Sequence, residues 1–405
     1  MALFIAGAIL LGGAFDCEAA KAKAKPKPAA HGAAHKAKPT AKPTAKPAPA
    51  PEPIVSTICV EAQSGLVLAE QNADLPRPPA SMAKMMLFLL VMEGVHNGKW
   101  TLDTPVTVTK HAQGMGGTQV YLEAGEVWTV RQLAEAAAVV SANDAAMALA
   151  EGLWGSEDAY KAVVNKRAAE LGMLNSTFNS VHGLPPDKGK DPDATTARDM
   201  ARLGQFCVAD PQILEWVSKK ELQFKSGANV HSSTNKMLWR MSECDGIKTG
   251  YTRGAGFCVT ATASRDGIRL IAVVMGCLRS GERFDLAQKL LEDGFAQVRR
   301  KQVVAKGEKV GDPVPVADGE VQSVQLIAAD DLWVIVKEND LPSLRVVPER
   351  PAVIRPPIQA GTAVGEVSVQ LAGKTLGSVK LTAPVNLNKA GWLGKAKNSI
   401  SPRSK

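Results

Sequence analysis

The 405 residues include six Cys but no C-x-x-C pair, which removes the usual ligand spacing of a structural zinc site. After residue 15 no segment is apolar for long enough to cross a bilayer as a helix. Acidic residues are scarce in one place only: residues 20–53 hold eight Lys and one Glu, with no Arg or Asp. Residues 54–405 carry 40 basic against 37 acidic residues, so most of the formal charge of +8 belongs to that one segment. The folded part is nearly balanced, and the charge argues for no nucleic-acid partner. Aromatics make up only 5%, but 45% of residues are hydrophobic and 22% charged, which excludes whole-chain disorder and predicts two or three domains.

Residues 3–15, LFIAGAILLGGAF, have the length of a signal-peptide core, and Cys17-Glu18-Ala19 places small residues where a signal peptidase inspects them. Residues 1–19 are therefore expected to be a signal peptide, and the mature protein to be exported to the periplasm or cell envelope. Asp16 before Cys17 argues against lipoprotein processing. Residues 20–53 repeat Ala, Lys and Pro, a composition that stays extended and solvated and reads as a tether. Five Cys follow the signal. Cys244 and Cys258 flank a hairpin turn, and two readings stay open for them: a cross-strand disulfide, or two buried thiols.

Residues 54–71 read as two strands around a Gln-Ser-Gly turn. Pro78 and Pro79 introduce a nearly all-apolar helix over 81–95, and helical patterns continue over 130–172 and 195–208. Residues 245–277 return to strands, a meander whose second turn is Arg265-Asp266-Gly267, before a closing helix over 283–299. Strands at both ends of a helical middle predict an α/β domain of the α+β kind over 54–300: one antiparallel sheet, flanked by helices, with a helical subdomain. Val-rich strands with frequent Gly and Pro predict a small all-β domain over 301–385, and 386–405 a basic tail that frays. A membrane-surface contact through Trp392, Leu393 and Ile400 is the weaker reading of that tail.

Three short motifs can build one acyl-transfer site. Ser81-Met82-Ala83-Lys84 opens the buried helix, where residues three apart share a face and the amine can reach the hydroxyl. A serine hydroxyl needs a base, and a lysine is one only if its surroundings disfavour the ammonium, as the apolar Met85-Met86-Leu87-Phe88 would. The plainer alternative is a helix cap and a snorkelling lysine. On the order of one Ser-x-x-Lys arises by chance in such a chain. Ser233-Thr234-Asn235-Lys236 is a second match, in a polar stretch without a helix start, and is expected to be a decoy. Ser141-Ala142-Asn143, within the second helical region, offers a proton relay and an amide ligand, or alternatively two caps. Lys248-Thr249-Gly250 lies on a strand before a turn, where Lys248 and Thr249 can meet an anionic group and Gly250 allows close approach; a solvated edge lysine is the alternative.

In this order the three motifs resemble the signature set of serine β-lactamases and penicillin-binding proteins. Longer stretches resemble the low-molecular-mass penicillin-binding proteins that are D-alanyl-D-alanine carboxypeptidases: residues 79–86, 141–145, Val181-His182-Gly183-Leu184, 196–200 and 245–252. The resemblance runs over about residues 54–298 and more loosely through the β domain. It implies the penicillin-binding protein fold and attack by Ser81 on the penultimate D-alanine of a peptidoglycan pentapeptide stem, followed by hydrolysis of the acyl-enzyme. It further implies Lys84 as base, Ser141 and Lys248 as proton relay, and Asn143 on the peptide amide. The N–H groups of Ser81 and Tyr251 would form the oxyanion hole, while Thr249, beside Gly250, and Arg283 would meet the terminal carboxylate. β-Lactam antibiotics are implied as covalent ligands, and no metal or cofactor is implied.

Two departures stand out: Ala142 replaces the family's common Gly, and the tail is short and poor in aromatics compared with the family's membrane-attaching helix. A β-lactamase is the nearest rival, but the class A Glu-x-x-Leu-Asn pattern is absent, Glu170 to Asn175 being one residue too long. A D,D-endopeptidase or transpeptidase of the same fold and an inactive wall-binding scaffold are the other readings.

Overall fold

The computed structural model describes residues 54–225 and 230–391. The expected signal peptide, the tether before Ile54, and Trp392, Leu393 and Ile400 lie outside the described residues. The main sheet is antiparallel and has five strands: β1 (Ser56–Glu61), β2 (Val67–Gln71), β3 (Cys244–Thr252), β4 (Gly256–Arg265) and β5 (Ile268–Cys277). Its order is β2-β1-β5-β4-β3, so the first strand pairs with the last, Ile58 opposite Val273. The expected sheet of distant segments is what forms. Between β4 and β5, Asp266 and Gly267 both have positive φ, 51° and 75°, the turn whose twist matches that of the flanking strands.

Alternation along the strands sends Ile58, Val60, Ile271 and Val273 to one face and Cys59, Leu270, Ala272 and Val274 to the other. The longer helices are α1 (Lys84–His96), α2 (Asn143–Trp154), α3 (Glu157–Glu170), α4 (Ala197–Ala209), α5 (Pro211–Ser218) and α6 (Ser280–Gln297). Phe284, Ala287, Leu291 and Phe295 of α6 cover the second face. The helical middle covers the first, with α1 at its centre. Met85 to Phe88 are fully buried, which is why this helix is apolar all round. Trp216 of α5 meets Phe88 edge-on at 6.4 Å. Helix α5 is an addition to the expected elements; the Asp210 side chain caps its first N–H groups and Pro211 occupies its first position.

The five described cysteines are free and buried. Of the two readings left open for Cys244 and Cys258, the thiols hold. Cys244 lies opposite Ala263 and Cys258 opposite Gly250, and the two side chains enter cores on opposite faces of the sheet. Helix α6 runs directly into strand Val298–Val304, which pairs with Leu332–Lys337. That strand crosses the boundary expected at residue 300. A four-stranded sheet follows, and Val304, Val334, Val367 and Leu381 form a separate small core. Leu387, in the segment expected to fray, is buried in that core and pairs with Ile358.

Candidate active site

Ser81 sits in a 3-10 turn, Ala80–Ala83, that winds directly into α1. Ala80 holds a positive φ of 50°, an uncommon backbone state for a residue with a Cβ. Two glycines allow the close packing around this turn. A Cβ on Gly250 would stand 2.6 Å from the Pro79 carbonyl oxygen, and one on Gly183 only 2.0 Å from that of Ala80. Edge strand β3 and the segment around residue 183 therefore close in on Ser81 from two sides.

Lys84 is fully buried. Its Nζ lies 3.1 Å from Ser81 Oγ, 2.7 Å from Asn143 Oδ1 and 3.1 Å from the His182 carbonyl oxygen. Burial pushes its pKa down to about 7, against the pull of the Asp144 and Asp193 charges. An amine at this site is neutral in a large fraction near neutral pH, which is what a base for Ser81 requires.

The second motif stands where the helical region is broken. Residues Ala136–Val140 form a π turn, Ser141 adopts a left-handed φ of 69°, and Asn143 starts α2. The sequence expectation of a motif inside a helix is corrected for Ser141, which lies between two helical segments, whereas Asn143 is the first residue of the next helix; the break is what turns both side chains toward Lys84 and Lys248. Lys248 Nζ donates to Ser141 Oγ at 2.8 Å. Asn143 spends its carbonyl on Lys84, while its amide donates to the Gly116 carbonyl oxygen at 2.6 Å. Asp144 is buried and accepts from the N–H groups of Val120 and Leu122.

Lys248, 1% exposed, is held well below the ordinary lysine range by burial, and then by the charges of Lys84 and Arg283. Next to it, Thr249 Oγ1 donates to Thr234 Oγ1 at 2.7 Å. Tyr251 is 54% exposed and stacks on Phe257 at 4.1 Å, so it stands at the rim. Arg283 lies beneath β3 and β4, where its guanidinium donates to the carbonyl oxygens of Gly250, at 2.9 Å, and Cys258, at 3.1 Å. Burial lowers its pKa to about 10.

The structure thus brings Ser81, Lys84, Ser141, Asn143 and Lys248 together, with Thr249 and Gly250 on the adjoining edge strand. Sequence reasoning missed the His182 carbonyl and Thr234. The first is a backbone group without a residue signature, and the second lies within the Ser-x-x-Lys stretch set aside as a decoy. Among the described residues no group of three or more His, Cys, Asp or Glu is placed to hold a metal ion.

The chain matches the family model for D-alanyl-D-alanine carboxypeptidase over residues 45–278, and that for the C-terminal domain of penicillin-binding protein 5 over residues 299–389. It is 30% identical to the D-alanyl-D-alanine carboxypeptidase DacF of Bacillus subtilis over 360 residues, covering 86% of this chain and 90% of that one. Among solved structures it is similar to a peptidoglycan synthesis regulatory factor, PBP3, from Streptococcus pneumoniae. The TM-score is 0.71 at 28% identity, covering 82% of this chain and 98% of that one. It is also similar to the ampicillin-bound penicillin-binding protein D2 of Listeria monocytogenes, with a TM-score of 0.54 at 33% identity, covering 59% and 96%. Family models that span both domains, on a fold that gathers a Ser-x-x-Lys pair with a buried lysine and a second buried lysine, lead to one conclusion: the chain belongs to the D-alanyl-D-alanine carboxypeptidase family of low-molecular-mass penicillin-binding proteins, and is a serine peptidase.

Proposed function

We propose that the protein removes the terminal D-alanine from peptidoglycan pentapeptide stems through an acyl-enzyme on Ser81, and that penicillins acylate the same hydroxyl. The observation that carries this is the environment of Lys84. Two of its three contacts, the Asn143 side-chain oxygen and the His182 carbonyl oxygen, can only accept hydrogen bonds. A neutral amine spends both N–H bonds on them and turns its lone pair to the third contact, the Ser81 hydroxyl, which swings its one proton from the His182 carbonyl oxygen to Nζ as the reaction starts.

Ser81 Oγ gives its proton to Lys84 Nζ and bonds to the carbonyl carbon of the penultimate D-alanine. The N–H groups of Ser81 and Tyr251 take the oxyanion, each worth roughly 3 kcal/mol in comparable acyl-transfer sites. On collapse the C–N bond breaks, and the leaving amine takes up the proton that Ser81 gave to Lys84, passed on through Ser141, which Lys248 holds by a hydrogen bond. Neutral Lys84 is restored; it takes a proton from the water that attacks the acyl-serine carbonyl, and returns it to Ser81 Oγ as the ester bond breaks and the shortened peptide leaves. Thr249 meets the terminal carboxylate, and the buried charge of Arg283 reinforces that seat from below Gly250. Asn143, already engaged with Lys84 and Gly116, keeps the base in place and borders the path of the peptide amide. The wall precursor is the substrate and residues 1–19 read as an export signal, so the activity belongs in the cell envelope.

Incubation with fluorescent penicillin tests this reading. Wild type and Ser233→Ala become covalently labelled and Ser81→Ala does not; labelling of Ser81→Ala at the wild-type rate sinks the assignment. Incubation with a wall pentapeptide yields free D-alanine. Products cleaved from cross-linked dimers, or newly cross-linked, would point to an endopeptidase or transpeptidase instead, and rapid turnover of penicillin to a β-lactamase.

A further inference from the structure

Ser81 and Lys84 share an acceptor outside the three motifs, the His182 carbonyl oxygen, at 3.3 and 3.1 Å. This carbonyl lies in a segment with neither helix nor strand, so other contacts must hold it. They start on the far side of the same peptide group. The His182–Gly183 peptide carries the carbonyl toward the catalytic pair and the Gly183 N–H away from it, and that N–H donates to Ser180 Oγ at 2.8 Å. Ser180 Oγ in turn donates to Asp193 Oδ2 at 2.9 Å. The other oxygen, Asp193 Oδ1, accepts from the N–H groups of Asn179 and Ser180 at 2.6 and 2.9 Å. Leu184 N–H closes the turn onto His182 Nδ1 at 3.0 Å. Burial pushes His182 down to about 3, so the ring stays neutral and keeps that acceptor.

We propose that Asp193 is a positioning residue for acylation: through Ser180 it orients and polarises the His182–Gly183 peptide, whose carbonyl fixes the geometry of Ser81 and Lys84. The inference rests on the acyl-enzyme reading above. A peptide whose N–H is bonded to a hydroxyl that itself donates to a carboxylate presents a stronger acceptor at its carbonyl, because hydrogen bonds in a chain polarise one another. Asp193 is only 6% exposed, and three donors oppose the upward push of burial on its carboxyl. The chain of contacts has little slack, since Gly183 packs directly on the Ala80 carbonyl. Asp193 also acts at a distance. Its charge, with that of Asp144, favours the ammonium form of Lys84. Glu157, Tyr160 and Lys161 of α3 face Asp193, and Lys248 and His182 face Lys84.

The test is the rate of acylation of the full chain by fluorescent penicillin, from about pH 5 to about pH 9, in Asp193→Asn and Ser180→Ala. Asp193→Asn keeps the shape but removes the charge. It lowers the plateau about tenfold and moves the acidic limb to lower pH, because the Lys84 ammonium loses a neighbouring anion. Ser180→Ala lowers the plateau about fivefold and leaves the limb in place. Wild-type plateaus and limbs in both variants overturn the proposal. So does a slower Asp193→Asn with an unmoved limb, which would make Asp193 merely structural. Should Asp193→Asn fail to fold, Ser180→Ala decides: an unchanged plateau overturns the proposal and a lowered one supports it. A wild type that penicillin never labels at Ser81 defeats the proposed function instead, so the two failures are distinguishable.

Discussion

Two stretches of this chain carry Ser and Lys three residues apart, Ser81–Lys84 and Ser233–Lys236, and the structure gives them opposite characters. Lys84 is fully buried, within 3.1 Å of Ser81 Oγ, with a pKa pushed down to about 7. Lys236 is exposed; its Nζ turns to the Ser233 backbone carbonyl at 3.1 Å and lies over the Trp239 ring at 4.6 Å. Ser233 Oγ is occupied with the N–H of Asn235, inside a turn between a short strand and a short helix. Equal spacing therefore carries no chemistry by itself. The first pair differs in its surroundings: a buried helix start withholds water from the amine, and two acceptors orient it. The second pair has water at one end and a backbone turn at the other. It still serves the site indirectly, since Thr234 between its ends bonds Thr249 and donates its N–H to Val139, just before the second motif.

The largest effect is expected from Lys84→Ala, which lowers the rate of penicillin acylation about a thousandfold, while Lys236→Ala stays within about twofold of wild type; rapid-mixing kinetics with a fluorescent penicillin measures both. Equal losses would erase the contrast. The pH profile of the same rate sharpens it. Only neutral Lys84 accepts the serine proton and its pKa is lowered to about 7. Acylation should therefore fall about tenfold per pH unit below that value and level off above it. A limb near the ordinary lysine pKa would mean that burial does not act on the amine. Next comes Gly183→Ala, which forces a side chain onto a φ of 77° and a Cβ to 2.0 Å from the Ala80 carbonyl. It should cost about 2 kcal/mol or more in urea unfolding, whereas Gly254→Ala, with open space around it, should cost less than about 0.5 kcal/mol. The smallest expected effect is that of Thr234→Val, which deletes one hydroxyl contact to Thr249 and should slow acylation about fivefold without abolishing labelling.

Much of the scaffold was legible because it rests on periodicity and turn chemistry. Runs rich in β-branched and apolar residues announced β1 and β5, the Asp266-Gly267 pair announced the turn between β4 and β5, and Pro79 announced the start of the helix that Ser81 precedes. The break at Ser141 was not legible, since Ala136–Val140 has the composition of an uninterrupted helix. Tertiary bonds hold the break open: Thr234 N–H to the Val139 carbonyl oxygen at 3.2 Å, and Asn143 N–H to that of Thr118 at 2.8 Å. The thiol question at Cys244 and Cys258 turned on register, which a hairpin signal alone leaves free.

From the order of residues alone came the strands, the buried helix and the three short motifs, one tetrapeptide and two tripeptides, because each depends on neighbours a few positions away. The tertiary structure decided which Ser-x-x-Lys lysine is dry, how the Ser141 break aims two side chains, and that a backbone carbonyl at residue 182 meets both Ser81 and Lys84. Those outcomes depend on desolvation and on contacts between residues up to about a hundred positions apart, such as Lys84 with His182, and only the closed fold supplies them.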